Sequence, residues 1–379
     1  MLKRILAISL AVLCGICVTG SWNYQGFDDI VLVTGLAIDL DNESDQYHLT
    51  FEVADTSASS KDSGIIGSYV ESTGATIFDA VRNAKKRLTN KLYGGNLQTL
   101  IISKQVAAEE GITSILEELL RDGEPRETMS VVISEEETAK EILLTTGLDS
   151  KLIALELHDM IREDSVVTTS TKYVPLYKCY STIRGTGNSL VLPVVRSIEN
   201  NEDEVVELNG IAVFSGDRLI GYIPPEQSTY YLFITGDARG GALSFPLEDE
   251  NENVSMQIKN CKSKSRVDYS SGQISIDLSV NIELNLTEIK DQFDISSDDD
   301  RRFLEEKTEE YIAEELEAFF MDIQENVKTD IFSFGRLLYQ KDPELWRSLE
   351  PEWDELFQKA VLNVHVDTDL LSAGVIKNY

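Results

Sequence analysis

The stretch that most constrains this chain is Gln273 to Thr287, QISIDLSVNIELNLT. Ile274, Ile276, Leu278, Val280, Ile282, Leu284 and Leu286 alternate without a miss against polar residues, so every apolar side chain falls on one sheet face. A looser alternation over Val254 to Ser265, followed by the turn-like Ser270 to Gly272, makes the pair a long antiparallel hairpin. Downstream, Ile312, Leu316, Phe319, Phe320, Ile323 and Val327 recur at helical spacing, with Glu309, Glu310, Glu314, Glu315 and Glu325 on the other face. A sheet face and a helix stripe of this length each need the other for burial. The expected fold class is therefore α+β, with a C-terminal domain built on this long hairpin and this long amphipathic helix.

The first half alternates strands with helices. Ile30 to Leu40 and Tyr47 to Val53 form a hairpin across a polar turn, and Ile65 to Ser72 returns as a strand. Asp39, Asp41, Glu43 and Asp45 do not make a calcium loop, because Ser44 and Thr50 stand where such a loop needs Gly and Glu. An amphipathic helix is expected from near Ser72 through Leu92, then strands at Leu97 to Ser103 and Met129 to Ile133 around a helix from Gly111 to Arg121. Ser134 and Glu137 have capping-box spacing and open a short helix through Leu144. This predicts multi-domain architecture, with mixed and antiparallel sheets covered by helices. The charged segment Glu199 to Glu204 is the expected boundary, giving an N-terminal domain over 22–200, open to division into two subdomains, and a C-terminal domain over 205–379. The segment Leu208 to Ile223 is a further hairpin, turning at Gly216 and Asp217.

The N-terminus is of another kind. Lys3 and Arg4 precede the apolar run Ile5 to Val18 and the small residues Thr19, Gly20 and Ser21, the order of a secretory signal, so residues 1–20 are a signal peptide or a membrane tether. The run is shorter than a comfortable transmembrane helix of roughly 20 residues. Only Cys179 and Cys261 fall in the mature chain, too few for a disulfide framework.

Chemistry is scarce. His48, His158 and His365 lack metal-ligand spacing, and no nucleophile elbow, Walker loop or dinucleotide fingerprint occurs. With 66 acidic against 34 basic side chains and a net charge of -32, the chain repels phosphate backbones, which excludes nucleic acid as a partner. No catalytic, cofactor-binding or metal-binding residue is assigned, and no enzymatic activity is expected. The stripe Trp346, Leu349, Trp353, Leu356, Phe357 and Ala360 reads as core packing.

Several blocks together resemble the Ger(x)C family of spore germination proteins. They are Val18 to Asp41, YGGNLQTLIIS at Tyr93 to Ser103, LRDGEPRETMSVVIS at Leu120 to Ser134, and LNGIAVFSGDRLIGYI at Leu208 to Ile223. To these is added Thr329 to Asp367, with Asp330, Phe332, Phe334, Gly335, Pro343, Trp346 and Trp353 in the family's order. The resemblance implies a non-catalytic C subunit of a nutrient germinant receptor, held at the outer, extracytoplasmic face of the spore inner membrane. The implied partners are two integral membrane subunits, an A-type and a permease-like B-type. The family's lipobox Cys, which receives the lipid, is replaced here by Ser21, whose hydroxyl cannot form the thioether. Cys17 follows Ile16 and Cys14 follows Leu13, where a lipobox wants a small residue, so both are poor substitutes. The competing expectation is an extracytoplasmic solute-binding or cell-envelope lipoprotein that captures a small ligand itself, marked by a preformed pocket with convergent polar groups.

Overall fold

The computed structural model describes Arg4 and residues 30–41, 44, 46–55, 66–247, 253–289 and 297–372. Ser21, Cys17 and Cys14 lie outside the described residues, as do residues 56–65 between the expected strands.

Two sheets organise the chain. The first begins with the expected hairpin of β1 (Ile30–Asp41) and β2 (Gln46–Asp55), extended by β3 (Ile66–Gly74). Then follow α1 (Ile77–Ala84), β4 (Lys91–Tyr93), β5 (Thr99–Ser103), α2 (Lys104–Glu109), α3 (Thr113–Asp122), β6 (Ser130–Ser134) and α4 (Ala139–Leu143). It is completed by α5 (Ile153–Val167), α6 (Leu176–Ile183), β7 (Val191–Asn200), β8 (Asp203–Ser215) and β9 (Arg218–Ile223). The spatial order is β3-β2-β1-β5-β6-β7-β8-β9, with β4 also on β1. The centre, β1-β5-β6-β7, is parallel and both flanks are antiparallel.

The parallel strands are unbroken apolar runs because helices cover both faces. Leu100, Ile102, Val131 and Ile133 pack with Val106, Ile115 and Leu176 on one side. Their neighbours Ile101 and Val132 pack with Ile142, Leu157 and Ile161 on the other. Two buried carboxylates tie the helices of this second face to the sheet. Asp39 on β1 accepts from the N–H groups of Ala139 (2.6 Å) and Lys140 (3.1 Å) at the start of α4. Glu52 on β2 accepts from Ile153 N (2.6 Å) and Ala154 N (3.2 Å) at the start of α5, and from the Thr34 hydroxyl of β1 (2.6 Å). Both satisfy amide groups that a helix start leaves unpaired.

Three expectations are corrected. The helix expected from Ser72 to Leu92 starts only after Thr76, whose hydroxyl caps Asp79 N, and Ser72 to Gly74 stay in β3 paired with β2. Leu92 lies in β4, drawn out of the helical pattern by pairing with β1. Ser134 closes no capping box: it accepts from Glu136 N, while Thr138 stands at the N-cap of α4 and bonds Glu141. The segment Glu199 to Glu204, expected as the domain boundary, forms the turn of the β7-β8 hairpin, with Asn201 and Glu202 in left-handed backbone.

The second sheet follows α7 (Pro225–Thr235) and comprises β10 (Ala242–Pro246), β11 (Asn253–Ser270), β12 (Gln273–Ile289) and, at the other edge, β13 (Val361–Ser372). Between β12 and β13 come α8 (Asp298–Asp322), a π turn (Ile323–Val327), α9 (Phe334–Lys341), α10 (Pro343–Leu349) and α11 (Trp353–Phe357); β13 runs parallel to β12. The long hairpin is as expected: Ser270 pairs with Gln273 across Ser271 and Gly272, both at positive φ, the two-residue turn that suits strand twist. The inward row of β12, Ile274 to Leu286, is buried throughout beneath Leu304, Ile312, Leu316, Phe319 and Phe320 of α8. Each such side chain contributes about 1.5–3 kcal/mol of burial. Glu309 accepts from Thr368 N (2.8 Å) and Glu305 from Leu370 N (2.9 Å), so α8 also caps part of the open edge of β13. Val191, Ile211, Val213 and Ile223 of the first sheet belong to this same core, which makes the two sheets structurally continuous.

Candidate functional site

The motif residues of the C-terminal block converge where the sheets meet. Asp330 opens the segment DIFSFG and is 2% exposed. Its Oδ1 accepts from Phe332 N (2.9 Å), and its Oδ2 from Gly335 N (2.8 Å) and Trp353 Nε1 (3.2 Å). One carboxylate thus folds the segment back on itself and ties it to α11. Burial pushes the Asp330 carboxyl up to about 6, against the opposing pull of these donors.

Phe332 and Phe334 are thereby driven into a nest with Phe320 and Phe357, and Trp346 packs edge-on against Trp353 with centroids 5.0 Å apart. A side chain on Gly335 would lie 2.6 Å from the Trp346 ring, which is why glycine stands there. The tryptophan stripe is core, as the sequence indicates, although it spans two short helices instead of one.

The first domain docks on this segment through residues 187–189. Ser189 N donates to Ser333 Oγ (3.1 Å), and the Ser189 hydroxyl donates to the Asp330 carbonyl. Arg336 Nη1 donates to Asn188 Oδ1 (3.3 Å). Gly187 has φ +65°, and a Cβ there would lie 2.6 Å from Arg336 N, so the two backbones approach as closely as glycine allows.

Two clefts flank the 187–189 strap. One, of about 360 Å³, has Glu350, Glu352, Asp354 and Glu355 on its wall. The other, of about 480 Å³, is lined by Lys172, Lys178, Arg336 and Asp237 with aromatic walls that include Tyr231 and Phe332. Within it Lys172 Nζ lies 2.7 Å from Asp237 Oδ2, 3.4 Å from the Tyr231 hydroxyl and 5.2 Å from the Tyr231 ring centroid. Burial opposes the Lys172 charge, but the Tyr231 and Asp237 oxygens outweigh it and raise the ammonium pKa. Sequence reasoning missed this cluster, whose members lie on separate elements with no motif spacing.

The remaining polar chemistry is dispersed. His48 meets Glu71 at 3.0 Å on adjacent strands, and His365 lies on β13. His158 Nδ1 lies 2.9 Å from Ser130 Oγ, and Ser130 is fully buried in β6. Among the described residues the two free thiols, Cys179 and Cys261, are buried. Burial raises the pKa of each, which leaves them protonated and unreactive. Among the described residues no group of three or more His, Cys, Asp or Glu is arranged to hold a metal, and no helix is long and apolar enough to cross a membrane.

The chain is similar to proteins of spore germination throughout its length. The family model described as "Spore germination protein N-terminal domain" matches residues 23–197, and that described as "Spore germination B3/ GerAC like, C-terminal" matches residues 209–374. Spore germination protein KC of Bacillus subtilis (strain 168) is 21% identical, covering 100% of this chain and 98% of the relative. Putative spore germination protein YfkR of the same strain is 23% identical over 99% and 98%, and spore germination protein GerQC of Bacillus cereus 22% over 80% and 82%. The crystal structure of the GerBC protein superposes with a TM-score of 0.58 over 89% of this chain and 97% of that one, at 16% identity, which establishes a shared fold. Two family domains in order along one chain, on the fold of a solved member, place this protein in the Ger(x)C family of spore germination proteins.

Proposed function

We propose that this chain is the non-catalytic C subunit of a nutrient germinant receptor and acts through protein–protein contacts at the outer face of the spore inner membrane. The observation that carries the reading is the collinear match of both family domains, with relatives named for spore germination covered almost end to end. The partners are two integral membrane subunits, an A-type and a permease-like B-type.

The fold supports a coupling role. A core shared by both sheets, and a junction where Ser189 and Arg336 cross between domains, suit a body that transmits a change at one surface to another. With Ser21 at the lipobox position, retention of the protein at the membrane depends on its partners or on an uncleaved N-terminal run.

Deletion of the gene in its own host tests this reading. Germination to one set of nutrients is lost while non-nutrient germination persists. Normal nutrient responses in a strain stripped of paralogues would refute it.

A further inference from the structure

We propose that the 480 Å³ cleft at the domain junction binds a small organic anion through a carboxylate or phosphate group. Three of its four charged side chains, Lys172, Lys178 and Arg336, are basic in a chain whose net charge is -32. A local excess against so strong a global bias focuses the field inside the cleft. The wall across the strap has the opposite sign, so charge is segregated between the two clefts.

Inside the cleft, Asp237 neutralises Lys172, and the excess therefore rests on Lys178 and Arg336. Arg336 spends one guanidinium N–H on Asn188, which leaves the rest of its fork for a bidentate contact. The cleft volume falls within the range of ligand sites, about 300–1,000 Å³. Tyr173 and the exposed Tyr177 line the cleft and give an aromatic surface for the organic part, backed by the buried rings of Tyr231 and Phe332. Lys178 belongs to α6 of the first domain and Arg336 to α9 of the second, so an anion held by both clamps the junction. This inference goes beyond the receptor-subunit reading, and each stands if the other fails.

The test is thermal unfolding and calorimetric titration of the full chain with inorganic phosphate and, separately, malonate, against sodium chloride at matched ionic strength. A saturable rise in Tm with at least one probe is expected, because binding to the folded state alone stabilises it. Phosphate alone would mark a phosphate group as the ligand chemistry, and malonate alone a carboxylate. Both cations are exposed, so the double variant Lys178→Gln/Arg336→Gln keeps its fold and weakens binding at least about tenfold. Asp237→Asn frees the Lys172 ammonium and tightens binding, the opposite of what a purely structural cluster predicts. Shifts no larger than those from chloride, or unchanged affinity in the double variant, would overturn the proposal.

Discussion

The indole Nε1 of Trp353 donates to Oδ2 of Asp330 across 3.2 Å, inside a core where the carboxylate also gathers the amides of Phe332 and Gly335. In Asp330→Asn an NH2 group replaces one carboxylate oxygen: turned toward Phe332 N–H it leaves one buried donor without an acceptor, and turned toward Gly335 N–H and Trp353 Nε1–H it leaves two. At about 1–3 kcal/mol for an orphan, and with the amide in its better orientation, the variant loses roughly 1–3 kcal/mol of stability. Urea unfolding measures it. A loss below about 1 kcal/mol would show that the segment holds itself without the carboxylate.

The same carboxyl makes stability depend on pH. Its folded pKa of about 6 exceeds the ordinary value of 3.8, so the folded state binds the proton more tightly. The resulting stabilisation is complete below the unfolded pKa and is lost as pH rises through 6, a change of roughly 3 kcal/mol. The stability difference between the natural chain and Asp330→Asn therefore shrinks from pH 5 to pH 7. Comparing the two cancels the titration of the other acidic side chains, and a difference that grows with pH would contradict this.

Glu52 is the corresponding anchor in the first sheet. Glu52→Ala strands the N–H groups of Ile153 and Ala154 at the start of α5, beneath a fully buried face. A lost cap plus a buried orphan amounts to roughly 2–4 kcal/mol. Hydrogen exchange reads it locally: amides of the first turn of α5 lose protection more than those of β12. Uniform loss across both sheets would point to global destabilisation instead.

With Ser21 at the family's lipobox position, no lipid is expected on this residue. The native protein extracted from spore membranes has an intact mass equal to the full chain or to a chain starting near Ser21, without added lipid. A mass increased by diacylglycerol would place the modification on Cys17 or Cys14.

Much of the architecture is legible in the residues. The strict alternation from Ile274 to Leu286 and the helical stripe from Ile312 to Phe320 each allow one way of burying their apolar faces, and the structure joins them in one core. Positive φ at Ser271 and Gly272 closes the hairpin where the turn residues stand. Order and spacing of the blocks, from Tyr93 to Trp353, carry the family. Long periodic segments and collinear motifs are local information, and one chain contains all of it.

Only the tertiary structure decided the rest. Leu92 continues a helical pattern, yet pairing with Ile30 to Leu32 moves its neighbourhood into a strand. The acidic segment Glu199 to Glu204 has the composition of a linker and of a hairpin turn alike, and the partner strand makes it a turn. Asp39 and Glu52 look like surface carboxylates until helices from about a hundred residues away present their N–H groups to them. Lys172, Asp237 and Arg336 meet at the junction although nothing in their spacing links them. Local sequence records what a segment prefers, but charge pairing and domain docking depend on which distant groups arrive at the same place. That is settled only when the sheets pack.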